Sequence, residues 1–359
     1  MFKELINLMD SFLDMGVPGY DCAIYRKGEC IFRHQGGYEN LETKAPVTGK
    51  ERNNIYSCSK PITVTAALLL YEQEKFGLDD KLSDYMPEFS EMYVQTENGV
   101  RKAEKQIAIR DLFCMTAGFT YNLTSPELLK CKEETDGRCP TRETMKYLAK
   151  EPLAFEPGEK FAYSLCHDVL AAFIEVVSGE RFEDFVKKNI FDVLGMNDST
   201  FLLPYDELDS VATHYVFNAE TNKTEVRSKI PPYRLGSEYA SGGAGCVSTV
   251  DDYIKFLEGL RTGKLLKEET IRLMTTDMLS DSQKVGYWVE GYGYGLGVRC
   301  PKDDNKTDYG WGGAAGAYLA IDPVNEFVIY YSQHMLSSPN QGIRAQVLET
   351  ATKIIKENF

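Results

Sequence analysis

Strand-like segments occur at the two ends of this chain and almost nowhere between them. Residues 21–26 and 30–34 read as two strands around Lys27-Gly28-Glu29, a hairpin. Residues 294–299, 318–322 and 327–333 are again strand-like, split by Gly-rich or Asp-Pro turns. The middle, roughly 80–290, is mostly helical with long polar loops. Helical patterns cover residues 109–115 and 169–177, and Ser178-Gly179 supplies a stop for the second. An opening helix (about 3–14) leads into the turn Gly16-Val17-Pro18-Gly19. Another helix follows Lys60 and ends near Gly77, residues 79–87 form a helix-and-turn segment, and a helix over 342–357 closes the chain. One α+β architecture satisfies this order. It is an antiparallel β-sheet built from both termini and flanked by helices, with an inserted mainly helical lobe. The 359 residues then form a single domain, with a sheet lobe of about 1–60 and 290–359 and a helical lobe of about 61–289. A hydrophobic content of 43% supports a sizeable core.

Charge narrows the partners. The net charge is -14, and an acidic surface argues against nucleic acid and anionic membranes. The first ten residues form an amphipathic helix with acids inside it. They lack both the basic start and the unbroken apolar stretch of a signal peptide. The longest apolar run, residues 66–71, is too short to span a bilayer. Nine cysteines, an odd total with no C-x-x-C pair, fit free thiols in a reducing compartment. A cytoplasmic protein acting on a small molecule is expected; nothing fixes its oligomeric state.

Ser57-Cys58-Ser59-Lys60 places a hydroxyl and an amine three residues apart before a helical run, hence on one helix face. A poorly solvated amine there can take the serine proton and make Ser57 a nucleophile. The competing account is a serine that only caps the helix. Downstream, Tyr163 lies in Phe161-Ala162-Tyr163-Ser164-Leu165, just after Glu156-Pro157-Gly158 and before a helix. There its hydroxyl can reach both Ser57 and Lys60, unless it is an ordinary buried aromatic. A third segment, Asp308-Tyr309-Gly310-Trp311-Gly312-Gly313-Ala314-Ala315-Gly316, precedes a strand. Its small residues let backbone approach a substrate and offer amides to an oxyanion. A plain Gly-rich hairpin is the alternative. A dinucleotide fingerprint is set aside because no helix follows.

None of the four histidines (His34, His167, His214, His334) has metal-ligand spacing, so no metal or cofactor is expected. His167, four residues after Tyr163, reads as structural or exposed. Asp168 reads as a hydrogen-bonding residue rather than a catalytic acid, and Cys58 and Cys166 as small packing residues. No G-x-S-x-G elbow occurs, which argues against an ordinary α/β-hydrolase triad. Tyr121 and Trp288 are candidate pocket aromatics from loops.

The order S-x-x-K, tyrosine after Pro-Gly, then a Gly-rich strand motif resembles the serine β-lactamase and penicillin-binding superfamily. Ala117-Gly118-Phe119 and Ser241-Gly242-Gly243-Ala244-Gly245 match supporting segments. Class C β-lactamases carry Tyr-x-Asn and Lys-Thr-Gly where this chain has Tyr163-Ser164-Leu165 and Trp311-Gly312-Gly313. The missing lysine removes a cation that would hold the carboxylate of a β-lactam or D-Ala-D-Ala peptide. These departures are similar to the family VIII carboxylesterases and their acyltransferase relatives.

The resemblance implies a serine hydrolase acting on neutral or modestly sized carboxylic esters. Ser57 would be the nucleophile that forms an acyl-enzyme, Lys60 the base and Tyr163 the proton relay and acid. The amides of Ser57 and Ala314 would form the oxyanion hole, and Trp311, Gly312 and Gly313 would line the substrate site. A β-lactamase, a D-amino-acid peptidase or amidase, an acyltransferase using the same acyl-enzyme, and a binding protein that has lost catalysis remain the alternatives.

Overall fold

The structure, a computed structural model, describes residues 1–302 and 305–359. Its centre is an eight-stranded sheet whose strands come from both ends of the chain. From the N-terminal end come β1 (Gly19–Arg26), β2 (Glu29–Asn40) and β3 (Ala45–Pro46). From the C-terminal end come β4 (Tyr292–Tyr294), β5 (Arg299–Pro301), β6 (Tyr309–Gly312), β7 (Tyr318–Asp322) and β8 (Phe327–Ser332). The order is β4-β5-β6-β7-β8-β1-β2-β3, with every neighbouring pair antiparallel. The first and last long strands therefore meet at the middle of the sheet, in the register Cys22↔Tyr331 and Ala23↔Tyr330.

The strands alternate between two cores, because successive side chains of an extended chain point to opposite faces. Cys22 and Ile24 of β1, Ala320 of β7, and Phe327, Ile329 and Tyr331 of β8 face one side. There they meet Leu5, Met9 and Phe12 of helix α1 (Lys3–Asp14) and the closing helix at Gln346–Asn358. Ala23, Leu319, Ile321, Val328 and Tyr330 face the other side and join the larger core of the helical insertion. At the middle of that insertion lie α2 (Ser59–Glu72) and α3 (Cys166–Ser178), packed on one another. From Ser59 to Leu68 every residue of α2 is buried, the pattern of a helix enclosed on all sides rather than laid on a surface. No helix among the described residues is long and apolar enough to cross a membrane.

The sequence expectations hold for fold class and for the principal elements, with four differences. The segment 294–299 is not one strand. Gly295 N–H closes a turn on Val298 O, Gly297 sits at φ 76°, and a β-carbon at Gly295 would lie 2.1 Å from Met274 O, so the chain bends between β4 and β5. The second strand continues past His34 through Gly36-Gly37 to Asn40. The closing helix begins at Gln346 rather than at residue 342, because Asn340 O accepts from Ile343 and Arg344 in a preceding turn. The insertion also holds two hairpins, Tyr93–Thr96 with Gly99–Lys102 and His214–Asn218 with Lys223–Arg227. Most of their side chains are exposed or half-buried, so they carry little apolar alternation to reveal them.

Phe12 wedges α1 onto the sheet, fully buried and edge-on to Tyr331 at 6.1 Å. Phe12→Ala is expected to lower the unfolding free energy by about 3–5 kcal/mol, read by urea denaturation.

Candidate active site

Ser57 sits on a short 3-10 turn, Tyr56–Cys58, that runs directly into α2. The turn is fixed from several directions. Ile55 N–H donates to Cys246 O at 3.0 Å, Cys246 N–H donates to Ser59 Oγ at 3.0 Å, and the Tyr253 hydroxyl donates to Cys58 O. Tyr56, immediately before Ser57, is a non-glycine residue at φ 50°, a conformation that costs energy unless its surroundings impose it. Its fully buried hydroxyl lies 3.1 Å from His214 Nε2. His214 Nδ1 lies 3.0 Å from the acceptor Ser228 O, so Nδ1 carries the proton and Nε2 accepts from Tyr56. His214 stacks on His334 at 4.4 Å. The same reasoning gives His334 a proton at Nδ1, bonded to Thr213 O, and an acceptor at Nε2 for Asn54 N–H. Burial holds both imidazoles below the ordinary histidine pKa, in keeping with neutral rings.

One turn into α2, Lys60 is completely buried. Its Nζ lies 3.3 Å from Ser57 Oγ, 2.9 Å from Tyr121 OH and 2.7 Å from Gly243 O. Burial pulls its pKa down to about 7, against an opposing pull from Asp168. A neutral amine has two N–H donors and one lone pair. Gly243 O and Tyr121 OH take the donors, which leaves the lone pair for the Ser57 hydroxyl. Asp168, from α3, is buried behind the amine, and its Oδ1 accepts from Tyr239 OH at 2.9 Å and Ser241 Oγ at 2.6 Å. Burial raises its pKa, while those two hydroxyls and Lys60 pull it down.

Tyr163 completes the cluster. Its hydroxyl accepts from Trp311 Nε1 at 3.0 Å, and the phenol lines the same cavity as Ser57. Burial drives its pKa up, so it stands as a neutral phenol and a proton donor. Lys60 Nζ lies over the Tyr163 ring, 4.5 Å from its centroid, rather than on its hydroxyl. The hydroxyl that holds the amine belongs to Tyr121, which the sequence suggested only as a pocket aromatic and which is absent from the cavity wall.

A cavity of about 330 Å³ opens beside Ser57. The expected residues Tyr163, Trp288, Trp311, Gly312, Gly313 and Ala314 line it, together with Tyr233, Tyr318, Arg299 and Arg344. Trp288 stays 59% exposed at its mouth, edge-on to Tyr163 at 5.4 Å. Strand β6 approaches the nucleophile turn closely: a β-carbon at Gly313 would lie 2.5 Å from Ile55 O. That approach brings Ala314 and Ser57 to the same wall.

His167 is fully buried, with Nε2 on Phe113 O at 3.3 Å and its pKa pushed down to about 3 by burial and by the charge of nearby Lys60. Cys58 and Cys166 are buried thiols pushed up to about 12 by burial, which makes them unreactive packing residues. Among the described residues no group of histidine, cysteine and carboxylate side chains could hold a metal ion. Sequence reasoning missed Tyr121 as a partner of the lysine, Gly243 as its carbonyl ligand and Tyr56-His214 as supports of the turn. Ser241-Gly242-Gly243 was the available signal, a run of small residues with no assigned role.

A family model described as Beta-lactamase matches residues 5–351. Esterase EstB of Burkholderia gladioli is 26% identical, over 83% of this chain and 81% of its own length. Among solved structures, EstCE1, described as a hydrolase with promiscuous acyltransferase activity, is 27% identical. It superposes with a TM-score of 0.81, covering 97% of each chain. The LovD6 mutant of simvastatin synthase from Aspergillus terreus shares the fold at 21% identity and a TM-score of 0.80, over 98% of this chain and 94% of its own.

A β-carbon at Gly243 would lie 2.6 Å from Asp168 Oδ2 and 3.4 Å from Lys60 Nζ. Gly243→Ala is therefore expected to lower the acylation rate by about a hundredfold or more, roughly the loss of one strong hydrogen bond to the amine. Stopped-flow measurement of the first turnover reads it. Tyr56→Phe removes one buried hydrogen bond and is expected to lower kcat about tenfold, with KM changing little, in steady-state assays.

Proposed function

The chain belongs to the β-lactamase family, and we propose that within this family it is a serine hydrolase of carboxylic esters. The observation that carries the reading is the buried Lys60 amine, with a pKa near 7 and Ser57 Oγ among its hydrogen-bond partners. Lys60 takes the Ser57 proton as Oγ attacks the ester carbonyl. The amides of Ser57 and Ala314 receive the oxyanion. Tyr163, a phenol that stays protonated, hands its proton to the departing alkoxide and recovers one from the Lys60 ammonium through a water of the cavity, since the amine lies over its ring and not on its hydroxyl. An alcohol leaves and an acyl-enzyme on Ser57 remains. Water then takes the place of the alcohol and reverses these steps, releasing the acid.

Aromatic walls from Tyr163, Trp288 and Trp311 favour an ester with apolar parts, as does the absence of the Asn and Lys side chains that the class C motifs would supply. The esterase relative at 26% identity and the hydrolase at 27% support the same choice. Acyl transfer to an alcohol or amine is the second reading, favoured by the promiscuous acyltransferase activity described for EstCE1, since any nucleophile that enters the cavity can intercept the acyl-enzyme. We place the protein in a reducing compartment, the cytoplasm, because all nine cysteines are unpaired.

Ser57→Ala is expected to abolish both turnover of p-nitrophenyl butyrate and labelling by a fluorophosphonate probe. Tyr163→Phe should slow turnover by about a hundredfold or more. Near-normal activity in Ser57→Ala would falsify the mechanism. Nitrocefin hydrolysed far faster than every ester tried would move the assignment to a β-lactamase. Failure of the probe to label the wild type would leave a binding protein.

The pH dependence follows from Lys60. Its neutral form is the base, so protonation below about 7 removes the lone pair. Below that point kcat/KM is expected to fall about tenfold per pH unit, and above it to reach a plateau, in a pH–rate profile on a neutral ester.

A further inference from the structure

Two histidines take part in no step above, yet they hold the segment on which those steps depend. His214 is fully buried and His334 is 7% exposed, and their rings stack at 4.4 Å with 22° between the planes. All four ring nitrogens are engaged. The Nδ1 atoms lie on Ser228 O at 3.0 Å and on Thr213 O at 3.2 Å, so each carries a proton. The Nε2 atoms are left bare, and they accept from Tyr56 OH at 3.1 Å and from Asn54 N–H at 3.2 Å. The two supports thus bracket Ile55, just before Ser57. Ile55 is also where the Gly-rich strand β6 comes close, since a β-carbon at Gly313 would lie 2.5 Å from Ile55 O. One short segment, 54–56, therefore sets the place of Ser57 and of the strand that leads to Ala314. Tyr56, at φ 50°, holds its conformation only while its neighbours impose it.

We infer that His214 and His334 are positioning residues for Ser57 and act as one neutral unit, so that a single added proton releases segment 54–56 and disables the nucleophile. This rests on the reading of Ser57 as the nucleophile and adds a control on it. A proton can add only at Nε2, because Nδ1 already has one. On His334 the new N–H would face the Asn54 amide, a backbone donor that cannot turn away. On His214 it would face the Tyr56 hydroxyl, which can rotate to accept but then has a buried proton to place elsewhere. Stacking adds a second restriction, since a charge on one ring opposes a charge on the other. The surroundings also disfavour a charged ring. Arg227, opposite His214 in its hairpin, and Lys229 both repel it. Tyr233 packs edge-on to Tyr56 as a neutral phenol. On the far side Asp21, Glu39 and Glu51, with the phenols of Tyr20, Tyr38 and Tyr215, share with His334 the wall of a cavity of about 30 Å³. Those carboxylates are already engaged, by Arg33, by the Thr213 amide and by the amides of Thr48 and Gly49, and none bonds a ring nitrogen. The same cavity gives His334 an approach for a proton from solvent.

The pH–rate profile on p-nitrophenyl butyrate is the first test. Lys60 alone lowers kcat/KM about tenfold per pH unit on its acid side. The histidine pair adds a second proton. Further down, the wild type should therefore steepen to about a hundredfold per unit while near-ultraviolet circular dichroism shows the fold retained. A glutamine carbonyl can accept where Nε2 does and never titrates. His334→Gln should lose at most about tenfold in kcat on the alkaline plateau, and together with His214→Gln it should return the profile to a single tenfold limb. His334→Leu removes the acceptor and should lower plateau kcat about tenfold or more, with KM little changed. A second test needs no turnover. Nuclear magnetic resonance of nitrogen-labelled histidine reads which ring nitrogens carry protons, and fluorescence of Trp288 and Trp311, the only tryptophans, reads the cavity wall. Two rings with bare Nε2 atoms on the plateau, and a proton gained there in step with a fluorescence change, support the pair even if no ester is turned over. In that case only the nucleophile reading fails. The inference is overturned by a wild-type profile that keeps one tenfold limb down to the pH where the fold is lost. A steep limb that survives in the double glutamine variant, wild-type kcat in His334→Leu, or a proton on either Nε2 on the plateau also overturns it.

Discussion

The exclusion of water from one amine governs the architecture around Ser57. An isolated ammonium in an apolar interior is so costly that the group gives up its proton instead. Lys60 reaches that state because α2 is enclosed from Ser59 to Leu68, which in turn requires α3 and the loop around residues 241–246 to pack on it. The loop can come close only because residues 242 and 243 have no side chains: a β-carbon on Gly242 would lie 2.3 Å from His167 O. Burial, glycine and the carbonyl of Gly243 are thus parts of one constraint. Together they bring the pKa of an ordinary lysine down to about 7.

What the sequence revealed and what it hid follow from this. The sheet was legible because its strands are apolar and bounded by turns, and Lys27 and Gly28, both at positive φ, close the first hairpin as such turns do. Ser57, Lys60 and Tyr163 were legible because their spacing and order carry chemistry. Tyr121 was not, because its contact with Lys60 spans 61 residues and no local pattern encodes it. Arg344 was hidden for another reason. An arginine before a helix looks like surface, and only the fold places it on the cavity wall. Asp168 was correctly taken as a hydrogen-bonding residue, but its position behind the lysine needed the fold.

The supports of the turn that carries Ser57 divide into two kinds. Cys246, Ser59 and Tyr253 hold it through ordinary hydrogen bonds to backbone and hydroxyl. His214 and His334 hold it through imidazole lone pairs that must stay unprotonated, one on Tyr56 and one on the backbone before it. The second kind ties the geometry at Ser57 to a hairpin, His214–Asn218 with Lys223–Arg227, that contributes nothing to the cavity chemistry itself. A strained residue next to Ser57 is tolerable because its neighbours overdetermine it.

The meeting of β1 and β8 at the middle of the sheet has a consequence for biosynthesis. A ribosome that has just released β1 must add roughly 300 residues before the partner strand exists, about 15–60 s at ordinary elongation rates. During that interval the apolar hairpin of β1 and β2 has one unpaired edge and lacks the closing helix that will cover it. The helical insertion can gather its own contacts while it waits, whereas the hairpin cannot. The nascent chain therefore carries an open strand edge at its N-terminal end until β8 is made, and a transcript cut short anywhere before residue 327 yields a polypeptide that keeps that edge.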